Sequence, residues 1–257
     1  MVSFGGSKVT IAEIDMVRAD RLPQYVVIQH TFSEHREILM RKLDERHSVP
    51  PLAYACQEGE IGTWQGLQIA CYSGPARETT LVPILEQSTV EYVFSLGLAG
   101  ALSKRLQRGD LVLPIASVRG DGLTDYWADS KMPAVADTSA LLALNESAHR
   151  LGASLANGIF YTTSTLYRET TFVNKWAELG VVGVEMELAQ HFLLSHLHGK
   201  KAAGLYVISD SPLEGDEIWR TGISLDGILS KSYEYAVDIV LAAIQLLSDS
   251  QPVENQH

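Results

Sequence analysis

Short apolar runs rich in β-branched residues alternate along this chain with longer segments of helical period, which limits the possible folds more than any other feature. Tyr25-Val-Val-Ile28 reads as a strand, and Ser33 to Arg46 as a helix with Ser33 as its cap. Leu52–Cys56 and Leu67–Tyr72 read as strands around a turn near Glu60 and Gly62. A helix is predicted over Glu78–Glu86, then a buried strand over Tyr92–Leu96 that stops at Gly97. Further strands are predicted over Asp110–Val118, Gly158–Thr163 and Ala203–Ile208. Further helices are predicted over Thr138–Leu151, over Glu187–His198 with Gly199 as a C-cap, and over Leu225–Leu247. The pattern predicts a three-layer α/β/α sandwich around a mixed central sheet, one domain over residues 1–257 with its core at about 24–248. In open α/β sheets, ligands bind beyond the carboxyl ends of strands. Three segments are therefore of interest: the turn after Tyr72, the glycines after Leu96, and Ser209-Asp210.

Composition narrows the function classes. With 20 basic and 31 acidic residues the formal charge is −11, which opposes non-specific nucleic-acid binding. No run of about 18 uncharged apolar residues suggests a membrane span, and the first residues do not read as an export signal. A soluble cytoplasmic protein is expected. Cys56 and Cys71 form neither a disulfide framework nor a zinc spacing, and no metal or cofactor is expected.

Five constellations are suited to chemistry. In Gly183-Val-Glu-Met-Glu187 two carboxylates enter a helix. They either complement the helix dipole, or one of them accepts two hydrogen bonds from adjacent sugar hydroxyls. Asp210, after an apolar strand, is either a helix cap or an acid whose pKa rises in a pocket until it can share a proton. Gly97-Leu-Ala-Gly100 lets backbone approach a ligand. Tyr72-Ser-Gly-Pro-Ala-Arg-Glu-Thr-Thr80, with Gly74 and Arg77, is either an anion-holding turn or an ordinary one in which Arg77 pairs with Glu78 or Glu86. Phe160, Tyr161 and Tyr167 are either core aromatics or a base-stacking wall.

Taken together, Val184-Glu-Met-Glu187 and Val207-Ile-Ser-Asp210 resemble the paired motifs of the purine nucleoside phosphorylase and uridine phosphorylase superfamily. Leu96-Gly-Leu-Ala-Gly-Ala-Leu102, followed by Arg108-Gly-Asp-Leu-Val-Leu113, is similar to the family's glycine turn and next strand. The resemblance runs from about Val26 to Ile244. Within the family, Thr31-Phe-Ser33, Leu113 to Gly122, Tyr161-Thr-Thr163 and Ile208 to Pro212 look most like short AMP nucleosidase-like proteins.

The resemblance implies the phosphorylase/hydrolase-like fold and cleavage of an N-glycosidic bond. It implies that Glu187 holds the ribose hydroxyls with Met186 against the sugar face. Asp210 would protonate a purine, and Tyr167, with Phe160 and Tyr161 nearby, would wall the base. The family's phosphate residues are only partly matched. Arg36 stands near the first family arginine, Ser95 replaces the second, and Leu98 replaces a hydroxyl donor. Leu98 donates no hydrogen bond, and an unpaired buried charge costs several kcal/mol. The leading expectation is therefore a purine nucleosidase of AMP nucleosidase type. Its alternatives are a purine nucleoside phosphorylase holding phosphate through Arg77, Arg36 and Arg119, and a non-catalytic nucleoside-binding protein. The expected partners are a nucleoside or nucleotide, phosphate in the phosphorolytic case, and further copies of the chain in a homo-oligomer.

Overall fold

The structure is a computed structural model and describes residues 22–30, 33–49, 59–75, 77–221 and 227–250. It opens with β1 (Tyr25–His30), α1 (Ser33–Met40), β2 (Asp44–Val49), β3 (Gly59–Trp64), β4 (Leu67–Ser73) and α2 (Glu78–Leu85). Next come β5 (Tyr92–Ala101), β6 (Leu111–Gly120), β7 (Ala134–Val135), α3 (Thr138–Arg150) and β8 (Leu155–Thr163). The remainder is α4 (Val173–Glu178), β9 (Val181–Glu185), α5 (Leu188–Leu197), β10 (Lys201–Asp210), α6 (Ile218–Thr221) and α7 (Gly227–Asp249).

Among the described residues, ten strands join one mixed sheet. Strand alternation explains why β1 is apolar from Tyr25 to Ile28. Tyr25 and Val27 point into the core shared with α7, and Val26 and Ile28 into the core shared with α2. Helices thus cover both faces, as the alternating pattern predicts.

The sheet order is β10-β6-β8-β9-β5-β1-β4-β3-β2, and β10 also pairs with β5. Strands β5, β10, β6, β8 and β9 therefore close into a ring, with β1, β4, β3 and β2 as an arm. One edge of β5 is divided between two neighbours. β1 pairs with Tyr92 to Gly97, and β9 pairs with Gly100 and Ala101. The edge splits at Leu98 and Ala99, and a crevice opens there, as at the switch points of other α/β sheets.

Three expectations need correction. The helix from Ser33 ends at Met40, and the last three residues expected in it, Asp44 to Arg46, open the edge strand β2, where Glu45 takes a φ of 50° that no right-handed helix accommodates. The charged side chains of β2 suit a solvent-facing edge and imitate a helix's polar face. Glu60 and Gly62 lie inside β3 rather than in a turn. β5 continues through Gly97, because that glycine accommodates the Tyr206 ring: a Cβ there would lie 2.8 Å from Tyr206 Cε1. The predicted strand at Leu52–Cys56 falls outside the described residues.

Candidate active site

A cavity of about 370 Å³ occupies the crevice. Its walls come from the ends of β1 (His30), β5 (Leu98 to Gly100), β9 (Val184 and Glu185) and β10 (Ser209 and Asp210). The turn after β4 adds Gly74, Pro75 and Arg77, and the entry to α5 adds Met186 and Glu187. Leu166 and Glu169, from the turns after β8, and Ile218 of α6 complete it.

The two glutamates of the Val184–Glu187 motif divide their work. Glu185 is buried and accepts from the backbone N–H of Glu187 (2.6 Å) and Leu188 (2.5 Å) and from the Thr162 hydroxyl (2.5 Å). It thereby satisfies free donors at the start of α5. Burial, and then the neighbouring Glu187, push its carboxyl up to about 8, against the pull of these hydrogen bonds. Glu187 instead faces the cavity. Its Oε1 lies 4.0 Å from Arg77 Nε and its Oε2 lies 4.0 Å from His30 Nδ1. Both gaps are too long for direct hydrogen bonds, so the carboxyl retains acceptor capacity for a ligand. Burial raises Glu187 to about 7 while Arg77 opposes the rise. Burial, with His191 adding to it, holds His30 well below the ordinary histidine value, so His30 is neutral.

Asp210 ends β10 and is 4% exposed. Its Oδ1 accepts from the Ser209 hydroxyl at 2.5 Å and its Oδ2 from the Ile218 N–H at 2.8 Å. Burial raises its pKa and these two bonds lower it.

The structure brings together Asp210, Glu187, Met186, Arg77 and Gly74 in one cavity. The other sequence candidates lie elsewhere. Phe160 is fully buried, with its ring edge-on to Tyr206 at 5.6 Å and wedged against Gly183, so it is a core residue. Tyr161 stacks on Trp176 at 4.0 Å, and Tyr167 is 71% exposed; neither lines the cavity. Gly97 serves packing against Tyr206 rather than ligand approach. Arg36 is engaged by Glu60. The Arg119 guanidinium is saturated by Thr124, Asp125 and the carbonyls of Ala128, Asp129 and Met132, which leaves it nothing for an anion.

Sequence reasoning did not select His30 or Glu169. Each lies in or beside a connecting segment, where no periodicity separates a pocket residue from a surface one. An acid close after a strand that precedes the Val184–Glu187 motif is the only available signal for Glu169.

Comparison with known proteins identifies relatives in sequence and in fold. A purine nucleoside phosphorylase of Plasmodium vivax is 28% identical over 162 residues, covering 60% of this chain and 66% of that protein. A DeoD-type purine nucleoside phosphorylase of Bacillus subtilis is 25% identical over 164 residues, covering 62% and 70%. A uridine phosphorylase of Salmonella typhimurium is 28% identical over 151 residues, covering 52% and 60%. The chain thus matches somewhat less than two-thirds of the Plasmodium and Salmonella proteins. In fold it is similar to the Toxoplasma gondii purine nucleoside phosphorylase bound to immucillin-H, with a TM-score of 0.78, 21% identity, and coverage of 90% of this chain and 93% of that one. A Vibrio fischeri uridine phosphorylase gives a TM-score of 0.75 at 17% identity, covering 88% and 93%. Residues 32–241 match the family model described as the phosphorylase superfamily, and the chain belongs to that family.

Proposed function

We propose that this protein cleaves the N-glycosidic bond of a purine nucleoside and passes the sugar to inorganic phosphate. The observation that carries this reading is one cavity with Glu187 and Met186 on one wall and Asp210 on another. A carboxylate with open acceptor sites suits a pair of ribose hydroxyls, and a thioether packs on the sugar's apolar face. A second carboxyl in the same cavity, that of Asp210, suits the ring nitrogens of a purine. Phosphate would enter beside Arg77, whose half-exposed guanidinium reaches the cavity rim. The phosphorylase names of the relatives support phosphate over water as the acceptor.

One observation favours hydrolysis as the second reading. Leu98 lines the cavity with an apolar side chain, and Arg36 and Arg119 are engaged elsewhere, so Arg77 alone of the expected anion-binding arginines faces the site. The test is base release from inosine, adenosine, AMP and methylthioadenosine, each with and without phosphate. Phosphate-dependent release with formation of a ribose 1-phosphate supports phosphorolysis. Release at the same rate without phosphate establishes the nucleosidase instead.

A homo-oligomer accompanies this reading. Strands β6, β7 and β8 expose Ile115, Val118, Val135 and Ile159, each more than 40% accessible. Sedimentation as a 28.2 kDa species at micromolar concentration would exclude assembly.

A further inference from the structure

Glu169 lines the cavity and is 3% exposed, yet its carboxyl makes no hydrogen bond or ion pair with any described residue. Buried polar groups in folded proteins are nearly always hydrogen-bonded, so a carboxyl left bare at a cavity wall is set for the donors of a ligand. The fold fixes it there. Glu169 opens the 3-10 turn Glu169–Thr171, which packs against α4 and against the turn Pro212–Glu214. Asp210 and Glu217 are the charges that bear on Glu169, whereas Arg77 is the one that bears on Glu187. Glu169 therefore belongs to the Asp210 end of the cavity, away from the sugar-binding carboxyl.

We propose that Glu169 reads the six-membered ring of the purine, accepting from N1–H and from an amino group on C2, and so selects guanosine and inosine over adenosine. This rests on the nucleoside-cleaving reading above, and Asp210 keeps the role given to it there. A purine with its sugar on Glu187 and its imidazole nitrogen toward Asp210 presents N1 and C2 further along the same end. In guanine, N1–H and the 2-amino N–H lie side by side and match the two oxygens of one carboxylate, the paired geometry that makes such bonds strong. Hypoxanthine offers the N1–H alone. Adenine has a lone pair at N1 and no amino group on C2, so a carboxylate there meets no donor.

The electrostatics agree with this assignment. Burial raises Glu169 to about 8, and the charges of Asp210 and Glu217 add to the rise. Glu217 is itself buried and paired with Arg220. The other charged groups on the packed elements, Lys175 and Glu178 of α4 and Glu214, are exposed, as is the adjacent Arg168. Nothing in the fold thus compensates the ionised form of Glu169. The two N–H groups of guanine supply that compensation, and the carboxyl proton passes to solvent as the base is bound.

The experiment measures kcat/KM for guanosine, inosine and adenosine at pH 8.0 with phosphate present, in wild type and in Glu169→Gln. Wild type should rank guanosine above inosine and inosine above adenosine, with guanosine ahead of adenosine about tenfold or more. Glu169→Gln should lower guanosine on the order of 10–10²-fold, because its amide turns an N–H toward a donor of the base. It should leave adenosine within about threefold of wild type, since the N1 lone pair accepts from that amide. A cooperative urea transition shows that the variant folds; if it does not, Glu169→Asp, which withdraws the carboxylate by one methylene, takes its place and should lower guanosine selectively. The proposal is overturned if wild type cleaves adenosine as well as guanosine, or if a folded variant keeps the guanosine preference or loses all three substrates equally. Wild-type protein that releases base from none of the three would instead overturn the nucleoside-cleaving reading itself, and this inference with it.

Discussion

Gly183→Ala should disturb the site through the core, without touching the cavity. Gly183 lies in β9, and its backbone tolerates any residue, since its φ is not positive. The obstacle is steric. A Cβ there would lie 2.7 Å from both Cε1 and Cζ of Phe160 and 3.1 Å from Cδ1. Phe160 is fully buried and packs on Tyr206, so the ring has no free volume into which to withdraw. Overpacking of this kind costs about 1–3 kcal/mol. For a chain of this size, about 2 kcal/mol lowers Tm by roughly 4–8 °C. The strain also falls on the strand that leads into Glu185 and Glu187, so kcat/KM should drop with stability. Phe160→Leu should cost about 1–2 kcal/mol alone, as smaller buried replacements do. In the double variant the smaller side chain makes room for the new methyl, and the two losses should fall short of additivity by at least about 1 kcal/mol. Urea unfolding of the four proteins measures this directly. Additive losses, or a Gly183→Ala variant within about 0.5 kcal/mol of wild type, would refute the reasoning.

Three further outcomes are expected. Glu187→Gln should weaken ribonucleosides more than 2′-deoxynucleosides, because charge-assisted hydrogen bonds to the hydroxyl pair are worth about 1.5–3 kcal/mol each; equal losses in KM would make the residue structural. Arg77→Ala should raise KM for phosphate about tenfold or more and leave KM for the nucleoside near wild type, and an unchanged phosphate saturation curve would remove Arg77 from the anion site. Stability should fall as pH rises from 6.5 to 8, because Glu169 and Glu185, raised to about 8, and Glu187, raised to about 7, bind protons in the folded chain that the unfolded chain has lost. Below about 6.5 the buried His30, His35 and His191, all pushed down, act in the opposite sense, so the urea midpoint at pH 6.5 and at pH 8.0 isolates the carboxyls; a higher midpoint at pH 8.0 would contradict the assignment.

The layered architecture is legible because strands buried on both faces read as unbroken apolar runs, as Val26 and Val27 do when they serve opposite cores. The motif residues Glu187 and Asp210 are legible for a related reason: each directly follows such a strand or its end. The aromatic residues are not. Phe160 and Tyr161 adjoin in sequence, but the sheet sends one against Gly183 and the other against Trp176, and neither toward the cavity. Arg119 looks available for an anion until the loop after β6 wraps carbonyls around it. Leu98 directs the sequence reading toward hydrolysis, whereas the relatives carry phosphorylase names. The closure of the ring is absent from local sequence, because it depends on pairing between distant strands.

That closure has a consequence for when the cavity is completed. The ring is completed when β10 lies along β5, which sets Lys201 beside Tyr92 across a separation of 109 positions, with Lys201 Nζ donating to the Tyr92 hydroxyl at 3.0 Å. Such a contact forms only after a large loop entropy has been overcome, so it belongs to the slow, late part of folding. Asp210 is carried into the cavity by this same pairing, at the last registered position opposite Gly100. A nascent chain that has emerged only as far as α5 already contains Glu187 but lacks Asp210. The cavity should therefore be completed in a single step at the end of folding.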